Sequence, residues 1–504
     1  MHRIYLSVPI GLIFVFLVGC GQSPVKSPTV NNNNSAPVSL SMTDDPPNGV
    51  TVLFFQISLT AANLTPASGS GTVSLLSDNT PIEVDVTQLQ ALSAFLSTAN
   101  VPAGTYNSLA LTFANPQLVI FNASDASLAS TCALNTVCQL TPPIDNSATV
   151  TFSTAPFPAT VTANTPLGFL LDFHLNNVIQ SDLSVNVGVA NGVTIKQLPP
   201  TPPFGPPQFG FLFGAVQSVS ASQNQFTIQT PWGRTFTVDV NSSTAYQNFP
   251  TSACSTSGLS CLASGQIVHV QVASVQSDGT LLAATVSYVQ AANQQVVQGN
   301  IIGLSTASGN TVMQVLLHWS PNANTLPFGR IVNVTVPSTA TFSVDSGTTT
   351  IPAGLTFAST SDLLVGQKVQ VDVAVGTLTN SGNGQGGAPA SISFTASSVE
   401  LEPSQITGMI TAIDSSASSF TLSTFPNFFA PWSSNSNWLN WTPTQITVQT
   451  TSQTTYQGLT TDSFSGLTTN SMASVNGWLF STPSGATAST QVAATVFGRP
   501  QGFF

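Results

Sequence analysis

Alternation of apolar and polar positions is the dominant signal along this chain. Leu53, Phe55, Ile57 and Leu59 alternate with Phe54, Gln56, Ser58 and Thr60, the period of a strand with one face fully buried. Comparable runs predict strands at 82–86, 108–113, 117–121, 149–152, 167–175 and 184–189. Short strands divided by turn signals suggest a β-sandwich. One patch departs from the pattern: Leu89, Leu92, Phe95 and Leu96 fall at 3–4 spacing and predict one short helix. The stretch 199–207, PPTPPFGPP, reads as a stiff, extended spacer.

Beyond the spacer the sequence repeats. Gly214-Ala-Val216-Gln-Ser-Val219 recurs as Gly299-Asn-Ile301-Ile-Gly-Leu304 and as Gly408-Met-Ile410-Thr-Ala-Ile413. The spacings of 85 and 109 residues are those of whole small domains rather than solenoid units. Later landmarks keep their order. Phe226-Thr-Ile228 matches Phe420-Thr-Leu422, and Thr244-Ala-Tyr246 matches Thr339-Ala-Thr-Phe342 and Thr454-Thr-Tyr456. Gly265-Gln266 before Val268, Val270 and Val272 matches Gly366-Gln367 before Val369, Val371 and Val373. In the third copy Gly477-Trp478 stands as the counterpart of Gly-Gln. Each unit ends in a strand, around Val286, Val399 and Val496.

The expected fold is therefore all-β: an N-terminal β-sandwich with one short helix, then three tandem small β-barrel domains. The boundaries read as a sandwich at 38–198, a Pro-rich linker at 199–210, and barrels at 211–292, 296–402 and 404–500.

Within 38–198, four motifs resemble a family of bacterial envelope lipoproteins, the domain-of-unknown-function family 4382. They are Ser41-Met42-Thr43-Asp44-Asp45-Pro46, Asp85-Val86-Thr87-Gln88-Leu89, Val101-Pro102-Ala103-Gly104-Thr105-Tyr106 and Leu171-Asp172-Phe173. The three repeats resemble a second family, number 5666, common in bacterial secreted proteins. These resemblances imply a fold and a cellular address, with no established activity attached.

Composition narrows the function classes. Charged residues make up 5% of 504, with seven Lys+Arg against 18 Asp+Glu and a net charge of −11. Soluble domains carry about 25%. Across the three repeats the basic residues are Arg234, Arg330, Lys368 and Arg499, too few to track a phosphate backbone, so nucleic acid is not an expected partner.

Residues 1–19 read as an export signal: Arg3 precedes a mostly apolar run over 4–18, shorter than a spanning helix. The run ends in Leu17-Val18-Gly19-Cys20, which resembles the lipobox of bacterial lipoproteins. That resemblance implies lipidation of Cys20, a membrane partner through that anchor, and outer-membrane sorting because Gly21 follows. Residues 20–37 read as a flexible tether. Of five cysteines, assigning Cys20 to lipid leaves two local pairs, Cys132/Cys138 and Cys254/Cys261. Disulfides suit them better than metal, whose thiolate sites use tighter spacing and nearby further ligands. Each bridge is worth about 2–3 kcal/mol on a chain-entropy model.

Motifs for catalysis are lacking: the sequence has no G-x-S-x-G, H-E-x-x-H or P-loop. Asp44-Asp45 and Glu400-x-Glu402 place carboxylates close together. Asp44 and Asp45 read as turn caps before Pro46, with a calcium site as the alternative. His269 reads as a solvent-facing strand residue, since Gln370 holds its place in the next repeat, and His174 as strand filling.

Tryptophans recur in the hairpin after the second strand of each repeat, at Trp232, Trp319 and Trp432. Trp232 and Trp319 read as hairpin anchors over a barrel end. In the third repeat the loop expands to carry Phe428, Phe429, Trp432, Trp438 and Trp441 among Ser and Asn. Exposed aromatics beside amides suit sugar rings, so these five are the candidate ligand-binding residues; a domain contact is the other reading.

The expected function is that of a non-enzymatic, lipid-anchored envelope protein that adheres or captures a glycan or cell-wall polymer, with no cofactor. A scaffold binding other envelope proteins is the alternative. A hydrolase built on dispersed carboxylates is the third reading.

Overall fold

The computed structural model describes residues 34–499, except 46–50, 70, 77–79, 90–92, 122–131, 133–136, 145–147, 181, 199–209, 232, 251–253, 255–257, 291–294, 321–325, 327, 348, 382–390, 424–444 and 483–487. The fold is all-β.

The N-terminal sandwich has two sheets. One orders Val193–Leu198, Leu167–His174, Ser35–Asp45 and Ala94–Pro102. The other is built on the long antiparallel pair Thr51–Pro66 and Gly104–Phe121, with shorter strands along both. Phe173 from the first sheet meets Phe55 and Phe113 from the second, at ring distances of 6.0 and 5.7 Å. Leu40, Met42, Ile57 and Leu171 fill the same core.

Several expectations shift. The first strand begins at Ser35, so 35–37 leave the tether and Pro37 pairs opposite Asn100. The strands expected at 108–113 and 117–121 are one, Gly104–Phe121. The chain takes φ of 52° at Asn115, and a bulge there absorbs the Asn-Pro turn signal. Residues 184–189 form only an isolated bridge at Val185.

The expected helix is absent. Val86–Leu89 is a 3₁₀ turn and Ala94–Pro102 is a strand, while a single α-turn occupies Leu175–Val178. Adjacent Phe95 and Leu96 are both buried because they face different cores. Leu96 fills the sandwich, and Phe95 meets Phe236 of the first barrel edge-on at 5.7 Å. Covering both faces of the strand erased its alternation.

The three barrels share one closed five-strand ring. In barrel 1 it runs Phe211–Ser220, Gln225–Gln229, Thr235–Asp239, Leu281–Gln290, Ile267–Val275 and back to the first strand. In barrel 2 it runs Val296–Ala307, Asn310–Trp319, Ile331–Val336, Ser391–Glu402 and Lys368–Val373. Barrel 3 uses Ser404–Asp414, Ser419–Ser423, Gln445–Gln449, Ser489–Arg499 and Met472–Phe480. One parallel pairing, between third and last strands, closes each ring. A short outer strand then adds to the last one, placing Tyr246 opposite Val286, Phe342 opposite Val399 and Tyr456 opposite Val496.

The repeated Gly motif has a steric cause. A Cβ on Gly214 or Gly299 would lie 2.2 Å from the carbonyl oxygen of Gln229 or Leu316 on the second strand. Just beyond it every first strand bulges, at Val216/Ser218, Ile301/Gly303 and Ile410/Ala412, which tightens the twist a small barrel needs.

The Gly-Gln turn exchanges backbone hydrogen bonds with that bulge: Gly265 N–H to Val216 O at 2.7 Å and Gly366 N–H to Ile301 O at 2.8 Å. In barrel 3 the partner of Ile410 is Asn470, also at 2.8 Å. Asn470-Ser471, not Gly477-Trp478, is therefore the counterpart. Asn470 adopts the same left-handed backbone, φ 62° against 86° and 97°, which Asn tolerates best after Gly. Gly477 instead sits where a Cβ would meet the Val492 carbonyl at 2.1 Å.

Both cysteine pairs are disulfides, Cys132–Cys138 and Cys254–Cys261. The barrels pack on the sandwich and on one another. Phe211 N–H donates to Ser93 O at 2.8 Å, continuing a sandwich sheet into barrel 1. Phe54 and Leu53 pack on Ile302 and Leu316 of barrel 2. A bulge between Val52 and Phe54 places both residues in that contact. The second strand thus buries both faces, and Gln56 and Ser58 are buried too. Trp478 and Phe480 of barrel 3 join the core of barrel 2.

Candidate functional site

A cavity of about 760 Å³ lies at the junction of the sandwich and the three barrels. Strand alternation builds its wall. In barrel 1, Val268, Val270 and Val272 point into the core while His269 and Gln271 line the cavity. In barrel 2, Val369, Val371, Val399 and Leu401 fill the core, and Lys368, Gln370, Asp372, Glu400 and Glu402 line the cavity. Barrel 3 contributes Asn476, Trp478 and Thr495 from its own last two long strands. Corresponding faces of all three barrels therefore turn toward one space. The sandwich adds Gln56, Glu83, Asp85 and Gln88.

Six of the chain's 18 carboxylates line this wall: Glu83, Asp85, Asp345, Asp372, Glu400 and Glu402. The only lysine or arginine beside them, among the described residues, is Lys368, which pairs in register with Glu402. Burial pushes Glu402 well above the usual carboxylate range; Asp345 adds to the rise and Lys368 offsets part of it. Asp345 and Glu400 are raised, first by burial, and burial lowers Lys368 despite Glu402 and Asp85. Desolvation outweighs pairing throughout.

Neutral donors brace the carboxylates. Gln370 Nε2 and Ser343 Oγ donate to Glu400 at 3.3 and 3.1 Å, and Ser398 Oγ donates to Asp372 at 2.7 Å. On the sandwich side, His318 Nδ1 lies 2.5 Å from Asp85 Oδ2, and Gln56 Nε2 donates to Glu83 at 3.2 Å. Two buried polar atoms of these residues remain without a hydrogen-bond partner, Nε2 of His318 and Oε1 of Gln56. Their residues are 7% and 3% exposed and line the cavity.

The sequence-predicted residues fare unevenly. His269 does not face solvent. It stacks on Phe211 at 4.4 Å, and burial, then the charge of Lys368, lowers its pKa to about 4. Trp319 is no anchor over its own barrel end: it meets Phe213 of barrel 1 at 4.5 Å, edge-on, and lines the cavity. Asp44 and Asp45 end the first strand, opposite Phe173 and His174, and the turn expected after them lies outside the described residues. Among the described residues no three His, Cys, Asp or Glu side chains are grouped to hold a metal ion. Cys20, Trp232, Phe428, Phe429, Trp432, Trp438 and Trp441 lie outside the described residues.

Sequence reading missed the cavity, although Glu400-x-Glu402 carried a signal. An i, i+2 pair shares one strand face, and Lys368 and Asp372, at i and i+4, share one face of the neighbouring strand. No curated protein matches the chain. Two stretches match family models: residues 35–192 that of the Domain of unknown function (DUF4382), and residues 213–287 that of the Domain of unknown function (DUF5666).

Proposed function

We propose that this is a non-enzymatic envelope protein, lipid-anchored through Cys20 after removal of a signal peptide, that captures a glycan or cell-wall polymer. Outer-membrane sorting follows from Gly21 after the lipidated cysteine. The observation that carries the reading is the cavity shared by four domains, of a size ordinary for ligand sites. Trp319 and Tyr288 offer apolar ring faces there, beside the amides of Gln247, Gln298 and Asn476. Flat rings stack on sugars while amides meet their hydroxyls.

The test is a glycan and cell-wall-polymer binding screen on the purified full-length chain, beside Trp319→Ala and the double variant Trp438→Ala/Trp441→Ala. Saturable binding weakened by Trp319→Ala alone supports capture in the cavity. Loss only in the double variant moves the site to the expanded loop of barrel 3. Absence of binding by the parent rejects glycan capture. The anchor is checked separately: Cys20→Ser should shift the protein from the membrane to the soluble fraction.

A further inference from the structure

The acceptor and donor inventory of the cavity is lopsided. Six carboxylates face it with one lysine, and a carboxylate when ionised only accepts hydrogen bonds. Gln56 spends its amide N–H on Glu83, which leaves Oε1 buried and unpartnered. His318 is held through Nδ1 by Asp85, which leaves Nε2 in the same state. A buried polar atom without a partner carries a desolvation cost that a ligand can remove. What the wall lacks is a positively charged donor.

A metal ion would not answer this need, because no three ligating side chains in the described residues are grouped around one point. The carboxylates are instead distributed over two domains: Glu83 and Asp85 on the sandwich, the other four on barrel 2. Distributed acceptors suit an extended ligand with several separate charges. Trp319 adds a lone N–H without a partner, which a ligand hydroxyl can accept.

We propose that the cavity binds a ligand bearing protonated amino groups, either an amino-sugar oligomer with free amines or a linear polyamine, with its ammonium groups between the sandwich carboxylates and those of barrel 2. Each ammonium supplies three donors and a charge that offsets the excess of acid. The inference rests on the capture reading and specifies its ligand.

Isothermal titration of the purified full-length chain tests it with three probes: a fully deacetylated glucosamine tetramer, its N-acetylated counterpart, and spermidine. The expected result is saturable binding of at least one amine, with the N-acetylated tetramer at least about tenfold weaker than the free one. Tighter binding of the tetramer assigns the sugar source, and tighter binding of spermidine the polyamine. Glu400→Gln and Glu83→Gln should each weaken the amine about tenfold, the order of one charge contact. Glu83 is exposed, so its variant keeps the fold.

Equal affinity for the acetylated and free tetramers overturns the inference and leaves glycan capture standing. Amine binding untouched by both substitutions overturns it as well, as does failure of both amines to bind. Capture itself falls only if the broader polymer screen is also negative.

Discussion

Barrels 1 and 2 close the same five-strand ring, yet they present different chemistry to the cavity. Their inward positions are near copies: Val268, Val270 and Val272 in one, Val369, Val371 and Val373 in the other. Their outward positions diverge. Barrel 1 pairs Ile267 with Gln290, His269 with Ser287 and Gln271 with Thr285. Barrel 2 pairs Lys368 with Glu402, Gln370 with Glu400 and Asp372 with Ser398. Folding constrains one side of each strand and leaves the other free to vary. In this chain, that freedom has gathered charge on a single barrel.

If inward positions alone carry the fold, equivalent core truncations should damage different barrels alike. Phe226 in barrel 1 and Phe420 in barrel 3 are each 1% exposed and follow the same first-strand bulge. Phe226→Ala and Phe420→Ala should each destabilise their barrel by about 3–5 kcal/mol, and Met313→Ala, at the matching place in barrel 2, by about 2–5 kcal/mol. Urea denaturation followed by near-UV circular dichroism measures this. A near-neutral outcome at any of the three would end the equivalence.

This division also explains what could be read from the sequence. The Gly214 and Gly299 motifs and the valine triplets were legible because sterics and burial dictate them locally. The cavity was not legible, because it depends on how four domains pack. Phe54 and Phe95 looked like the outward half of an alternating strand and part of a helix. Both are buried only because a barrel covers the outer face of a sandwich sheet. Asn470 hid the third turn for another reason: two residue types satisfy one left-handed position, so a search for Gly overlooked it.

Exchanging outward residues sharpens the comparison next. Lys368→Ile installs the residue barrel 1 carries and leaves Glu402 without its cation. It should cost about 3 kcal/mol, as for one member of a buried pair removed alone. Adding Glu402→Gln completes the barrel 1 pair and should recover stability to within about 1 kcal/mol of the parent, or above it. A double variant no better than Lys368→Ile would show that the two charges do not act as a pair.

The two barrels should also respond oppositely to pH. His269, with a pKa near 4 against about 6.5 unfolded, keeps the folded chain from binding a proton that the unfolded chain takes up. Stability therefore falls as pH drops from about 6.5 toward 4, by about 1–2 kcal/mol at pH 5. Glu402 is raised, so its contribution is complete below the ordinary carboxylate value and is lost as pH rises through the folded one. His269→Gln, the residue type barrel 2 uses there, should abolish the acid limb. Glu402→Gln should flatten the decline at higher pH. Denaturation midpoints between pH 4.5 and 8 report both, and an unchanged acid limb in His269→Gln would refute its assignment.

The smallest effect concerns the turn that holds each first-strand bulge. Gly265, Gly366 and Asn470 occupy it with φ of 86°, 97° and 62°, so the position demands left-handed backbone rather than glycine as such. Gly366→Asn should cost no more than about 0.5 kcal/mol, since Asn visits that region readily. Gly366→Val should cost about 1–2 kcal/mol, because a branched Cβ crowds the following carbonyl there. Thermal melts of the two variants side by side measure the difference. Equal losses would mean that side-chain space, not backbone handedness, selects the residue, and the correspondence of Gly366 with Asn470 would then lose its physical basis.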